Sequence, residues 1–438
     1  MTDVTPLAER AAAVLAELAG PGAILRPDQL AAIDALVTRR ERVLLVQATG
    51  WGKSAVYWIA TRLLREAGGG PTLVVSPLLA LMRNQVAAAE KAGIRAATIN
   101  SANIDDWYEI EAQIRADQVD VLLISPERLN NPRFRADVLP SLAASVGLLV
   151  VDEAHCISDW GHDFRPDYRR IASLRERFPR ASVLALTATA GEKVRRDIST
   201  SLALKDALTV LASFDRPLLR LMVAPKRNTK EALLRFFRDR GQTSGIVYSL
   251  SRKSAEAWAD WLCSKGIRAL AYHAGLDPAT REEHQRAFTR DRVEVICATV
   301  AFGMGIDKSN IRWIVHSDLP KDLDSYYQEI GRAGRDGLPA DCLLFYSRGD
   351  LVKMKGFLEA EGDEAVAARL EEMASWAETG QCRRKRILAH FGETYERENC
   401  GNCDNCLVDD EDKEDLTIPV QKLLSCIIRL EGRFGAGH

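Results

Sequence analysis

A chain of 438 residues has room for two to three domains at ~100–200 residues each. Its 59 Lys and Arg against 61 Asp and Glu leave a formal net charge of −2, which excludes a basic coat. Contact with a polyanion must then rest on local basic and aromatic patches, because counterion release depends on the charges at the contact. No stretch approaches the ~18 uninterrupted apolar residues of a membrane span, and nine cysteines, five of them scattered singly, fit a reducing cytoplasm.

In chain order, MTDVTPLAERAAAVLAELAG places Glu9, Arg10 and Glu17 among its alanines and reads as an amphipathic helix, not a secretory signal. Apolar runs then alternate with helix-length amphipathic stretches: VLLV (43–46), TLVVS (72–76), VDVLLIS (119–125), GLLVVDEA (147–154) and VLALTAT (183–189). A second series holds GIVYSLS (245–251), ALAYH (269–273), VEVICAT (293–299), WIVHSD (313–318) and CLLFYS (342–347). Continuous Val/Leu/Ile runs fit strands buried on both faces, and the alternation fits βαβ units. The expected fold is α/β: two tandem parallel-sheet domains, 1–208 and 209–347. A small helical subdomain with a cysteine cluster (348–407) follows, then an acidic linker and the start of another helical element (408–438).

The polar residues that interrupt the runs fall at strand ends, where ligands of open parallel sheets bind. QATGWGKS (47–54) departs from the strict phosphate-loop pattern, with Gln47 at the first position and Trp51 before the second glycine. Thr49, Gly50 and Gly52 still offer a turn of backbone N–H groups, Lys53 suits the β/γ-phosphates of ATP, and Ser54 suits Mg²⁺. Asp152 and Glu153 end a hydrophobic strand, where a carboxylate pair is costly unless it holds a cation. Asp152 is expected to hold Mg²⁺ and Glu153 to polarise water. In YYQEIGRAGRDG (326–337), Gln328, Arg332 and Arg335 would share one helix face at i, i+4, i+7. From the second domain, the two arginines reach a triphosphate only when the domains close.

These stretches resemble motifs I, II, III (TAT, 187–189) and VI of superfamily 2 helicases, in which the first loop position need not be glycine. DEAHCISDWGHDFRPDYRRI (152–171), TVAFGMGIDK (299–308) and SYYQEIGRAGRDGLPADCLLFY (325–346) resemble RecQ DNA helicases more narrowly, the first as their aromatic-rich loop. The resemblance implies that both parallel-sheet domains are RecA-like and that the chain is an ATP- and Mg²⁺-dependent enzyme moving 3′→5′ on single-stranded DNA. It further implies action on tailed duplexes in repair or recombination, as a nucleoid-associated monomer, with the loop coupling DNA to hydrolysis.

The residues themselves agree. Trp160 and Phe164 offer stacking faces worth ~1–3 kcal/mol per base, Arg165 adds a cation and His162 a polar neighbour, while ordinary core packing is the competing role. His155 can relay the state of the carboxylates. SPLLALMRNQ (76–85) and SPERL (125–129) match motifs Ia and Ib and add Ser76, Arg83, Asn84 and Arg128 as phosphate contacts; Thr299 joins them from the second domain. LRPDQ (25–29) resembles an adenine-recognising motif, with Arg26 and Gln29 toward the base edge, but Leu25 stands where the family carries an aromatic residue.

Cys382, Cys400, Cys403 and Cys406 form C-x17-C-x2-C-x2-C, able to hold Zn²⁺ or an iron–sulfur cluster. RRKR (383–386) would help keep Cys382 deprotonated, and His390 could replace one sulfur. The resemblance to RecQ implies zinc. It also marks the final helix as the start of a winged helix. Two rivals remain open: an RNA helicase of the same superfamily, and a DNA-stimulated translocase that does not unwind.

Overall fold

The computed structural model describes the chain apart from residues 1–5, 78–85, 87–88, 91, 101–102, 104–105, 144, 159–160, 162–163, 239, 242, 304–307, 359–363, 409–416 and 430–438. Two open sheets stand in tandem, each with all its strands parallel.

The front lobe holds β1 Arg42–Val46, β2 Thr72–Val75, β3 Ala96–Ile99, β4 Val121–Ile124, β5 Leu148–Val151, β6 Ser182–Thr187 and β7 Leu208–Leu211. Their order is β3-β4-β2-β5-β6-β1-β7. Alternation along β1 shows why continuous apolar runs were needed. Leu44 and Val46 enter one core, with Phe134, Ile171 and Ile198, while Val43 and Leu45 enter another, with Leu15, Ile33 and Ile59. Helices therefore cover both faces of the sheet.

The rear lobe holds β8 Leu219–Pro225, β9 Gly245–Tyr248, β10 Ala269–Tyr272, β11 Val295–Ala298, β12 Trp313–His316 and β13 Ala340–Tyr346, in the order β10-β11-β9-β12-β13-β8. The expectation missed β3, β7 and β8. All three are edge strands with one neighbour, and their mixed burial lacks the apolar density of central strands. The expected boundary at 208/209 needs correction for the same reason: β7 pairs with β1 and belongs to the front sheet.

After β13 come helices Arg348–Leu358, Glu364–Glu378 and Arg383–His390, then the short helix Asp404–Leu407. This module caps the exposed edge of β8. The Leu221 amide donates to the Asn402 carbonyl at 3.4 Å, and the Val223 amide to Asp404 Oδ2 at 2.8 Å. An open strand edge, otherwise a template for unwanted pairing, is thereby satisfied. Helix Thr417–Arg429 carries Ile418, Leu423, Leu424 and Ile428 on its surface, each more than half exposed.

Candidate nucleotide site and nucleic-acid track

The phosphate loop joins β1 to helix Lys53–Glu66. Gln47 continues the strand: its amide donates to the Thr187 carbonyl at 3.1 Å, and it is 1% exposed. An extended, ladder-paired residue has no need of glycine, so the first departure from the strict pattern puts no strain on the backbone. The turn itself does need glycine. Gly50 and Gly52 have φ of 84° and 97°, the left-handed region where a Cβ is strained. A Cβ on Gly52 would also lie 2.8 Å from Gln29 Nε2. Lys53 Nζ sits inside the loop, donating to the carbonyls of Gln47 at 2.7 Å and Ala48 at 3.2 Å. Burial pushes its pKa below the usual lysine range; Glu153 and Asp152 oppose that shift, and Arg335 adds to it.

Gln29 is locked between two backbone groups. Its Oε1 accepts from the Arg26 amide at 3.0 Å, and its Nε2 donates to the Gly52 carbonyl at 3.2 Å. The Arg26 guanidinium lies 5.9 Å from the Trp51 ring centre. The second departure thus puts an aromatic face beside the arginine expected at the base, while Leu25 packs toward the core.

At the end of β5, Asp152 accepts from Ser76 Oγ at 3.1 Å and from the Glu153 amide at 3.0 Å. Glu153 adopts φ 47°, ψ 47°, rare for a side-chain-bearing residue and costing ~1–3 kcal/mol, which the surroundings must hold. They do so through His155, whose Nδ1 lies 3.3 Å from Glu153 Oε2 and 2.9 Å from Thr187 Oγ1. Thr187 Oγ1 in turn donates to the Thr189 carbonyl at 3.0 Å. Motifs II and III form one buried polar chain.

Two expected nucleic-acid contacts are corrected here. Ser76 and His155 are each 0% exposed, because β2 and β5 end flush and the 3₁₀ turn after Glu153 folds inward. Both serve the carboxylates. Arg128 places its guanidinium carbon over the Trp107 ring, 3.2 Å from the centroid, and is 9% exposed; Thr299, equally covered, continues the β11 ladder through its amide to Tyr272. Phe164 is half-buried beneath Arg169, 4.9 Å away. Arg165 Nη1 donates to the Pro77 carbonyl at 3.4 Å and lies 3.8 Å from Glu127, latching the aromatic-rich loop to the segments after β2 and β4. Arg83, Asn84, Trp160 and His162 lie outside the described residues.

Across the cleft, the expected helical face of Gln328, Arg332 and Arg335 does not form. The helix Leu323–Ile330 stops at Gly331, and Gly334, with φ 63°, turns the chain. The two arginines consequently diverge. Arg332, 4% exposed, donates to the Gly303 carbonyl within its own lobe. Arg335 lies on the front lobe's loop: a Cβ on Gly50 would stand 3.4 Å from its Cγ and Cδ. Gln328 remains half-buried on the helix.

The Sγ atoms of Cys382, Cys400, Cys403 and Cys406 lie within 4.8 Å of one another. Tetrahedral zinc with Zn–S of ~2.3 Å asks for about 3.8 Å between sulfurs, so the set fits with small adjustments. The first two arginines of RRKR face elsewhere than expected. Arg383 pairs with Asp404 at 2.5 Å, and Arg384 pairs with Asp215 at 2.5 Å while lying beside Cys400. Both are 4% exposed, so the helix start is a docking face and not a basic surface. His390 is no sulfur substitute: its nitrogens bond Asp324 at 2.8 Å and Glu372 at 2.9 Å.

Comparison with known proteins places this architecture. The family models that match are DEAD/DEAH box helicase over residues 26–197, Helicase conserved C-terminal domain over 228–337 and RecQ zinc-binding over 348–407. A solved structure of the helicase Lhr from Mycobacterium smegmatis, bound to single-stranded DNA and AMP-PNP, aligns with a TM-score of 0.58 at 22% identity, covering 82% of this chain and 50% of that one. The two chains share a fold. Among curated proteins, the ATP-dependent DNA helicase RecQ of Pasteurella multocida is 41% identical over 418 residues, 94% of this chain and 65% of the relative. That of Bacillus subtilis is 40% identical over 416 residues, 94% of this chain and 69% of the relative. This chain belongs to the RecQ family. It spans about two thirds of the length of those relatives.

Proposed function

We propose that this chain is the motor of an ATP-dependent DNA helicase that moves 3′→5′ on single-stranded DNA and acts on tailed duplexes in repair or recombination. The observation that carries the reading is Arg335 of the rear lobe lying against Gly50 of the phosphate loop, where Lys53 feels Arg335 together with Glu153 and Asp152. The backbone of Thr49, Gly50 and Gly52, with Lys53, holds the phosphates at the helix N-terminus. Ser54 and Asp152 would hold Mg²⁺, which supplies charge neutralisation at the β- and γ-phosphates. Glu153, fixed by His155, orients the attacking water; Arg335, and Arg332 once freed from Gly303, stabilise the transferring phosphoryl group, with Gln328 beside them. Arg26, Gln29 and the Trp51 indole flank the base. The four cysteines hold zinc in a structural role.

Coupling runs through the buried chain from Glu153 to His155 and Thr187, and through Arg165, which ties the aromatic-rich loop to its neighbours. Bases stack on Phe164 and Trp160 as the lobes close, and reopening advances the strand. The same chemistry suits a monomer working at the nucleoid in the cytoplasm.

Lys53→Ala and Arg335→Ala are each expected to remove DNA-stimulated ATP hydrolysis, by about 1,000-fold or more. Full turnover in either variant would refute the reading. Release of a labelled strand from a 3′-tailed duplex, with an RNA duplex as control, separates a DNA helicase from both rivals. ATP consumption without strand release makes the chain a translocase.

A further inference from the structure

The two lobes are joined by one crossing of the chain, between β7 and β8, and contacts hold it at several successive residues. On the front side, the Ala212 amide donates to the Val46 carbonyl at 3.1 Å, next to the phosphate loop. On the rear side, the cysteine module takes over at the very next residue. Glu393 accepts from Ser213 Oγ at 2.5 Å and from the Phe214 amide at 2.7 Å, one carboxylate oxygen to each. The Phe214 ring stacks on Phe391 with centroids 4.4 Å apart and planes at 12°. Its carbonyl accepts from Tyr327 Oη at 2.8 Å, on the helix that leads to Arg332 and Arg335. Arg384 then holds Asp215 and the Leu219 carbonyl, Asn402 holds the Pro217 carbonyl at 2.9 Å, and Arg216 donates to the Ala333 carbonyl at 3.1 Å.

We propose that Glu393 sets the hinge of the motor: by pinning Ser213 and Phe214 to the cysteine module, it confines the pivot between the lobes to the Ala212–Ser213 junction. The proposal rests on the ATP-driven closure described above. A connection without slack makes the rear lobe return along one path, so that Arg335 meets Gly50 in the same place each cycle. Removing the Glu393 carboxylate releases Ser213 Oγ and the Phe214 amide, so that the first fixed point after Ala212 moves back to the Phe214 ring on Phe391 and its carbonyl under Tyr327 Oη. The Glu393 carboxylate holds the linker and acts through it; it is a positioning residue, and it gives the module a part in the chemistry besides its own folding.

The test uses the full chain, with donor and acceptor dyes placed by unnatural amino acids at Glu17 and Lys265, so that the cysteine cluster is untouched. With a non-hydrolysable ATP analogue and a single-stranded oligonucleotide, Glu393→Ala is expected to broaden the interlobe distance distribution. It should also lower kcat of DNA-stimulated hydrolysis by about 10-fold, since small misplacements of a catalytic group are that costly, at an unchanged zinc content. Glu393→Gln keeps an acceptor for the Phe214 amide and should recover most of the loss. Two glycines inserted after Ala212 in the otherwise natural chain should reproduce the Glu393→Ala behaviour. A wild-type distribution and kcat in Glu393→Ala overturns the proposal. Should that variant lose its metal, the insertion decides alone, and wild-type behaviour with two extra linker residues overturns it equally. The distance measurement needs no turnover, so an inactive parent chain would sink the ATPase reading while the hinge is still judged.

Discussion

Ser76 shows how far one buried hydroxyl can move an assignment. By its place after β2 it belongs to a strand-tracking segment, yet its hydroxyl donates to Asp152 and no surface remains for a phosphate. Ser76→Ala is therefore expected to raise the Mg²⁺ concentration needed for half-maximal ATPase, by ~10–100-fold, the worth of about one hydrogen bond to a charged group. The DNA concentration for half-maximal stimulation should stay near the parent value. A shift in the DNA dependence with unchanged Mg²⁺ dependence would return Ser76 to the track. His390 allows a second test at this scale. Burial works against its charge, but Asp324 and then Glu372 outweigh it and raise the pKa to about 10. A histidine with a raised folded-state pKa stabilises the fold fully below its unfolded value near 6.5 and loses that contribution as pH climbs toward 10. Urea midpoints should accordingly fall across pH 7–10 in the parent chain and flatten in His390→Gln; parallel curves would exclude the pair as their source.

At the scale of elements, the cysteine module and β8 form one unit. The Leu221 and Val223 amides are satisfied by Asn402 and Asp404, residues inside the cysteine-rich turn. Chelating the metal, or replacing Cys403 by Ser, is expected to speed hydrogen exchange at those two amides and lower Tm, while the core strands β9 and β12 stay protected until global unfolding. Uniform loss of protection across the rear sheet would mean that the module carries the whole lobe. The helix Leu323–Ile330 makes a related point. Its i, i+4, i+7 pattern is a sound reason to expect three residues on one face, but Gly331 and Gly334 end the helix, and the turn is what frees Arg335 to cross the cleft.

Taken whole, the molecule was legible in its sequence wherever chemistry is local. Apolar runs marked nine central strands and the edge strand β10, a glycine turn with Lys53 and Ser54 marked the phosphate loop, and three closely spaced cysteines with Cys382 marked the metal cluster. Each signal lies within one short segment of the chain, at most residues 382–406, and hydrophobic period or ligand spacing is enough to write it. The edge strands β3, β7 and β8 escaped because an edge strand is defined by its neighbour and not by its own composition. The inward turn of His155, the parting of Arg332 from Arg335, the Arg26–Trp51 contact and the grip of Glu393 on the linker escaped for the same cause. Residues separated by up to 285 positions, as Gly50 and Arg335 are, meet only when two lobes are set face to face. Sequence by itself determined which groups the protein brings to its site; tertiary structure decided which of them meet, because burial, edge pairing and closure across a cleft depend on packing between distant segments.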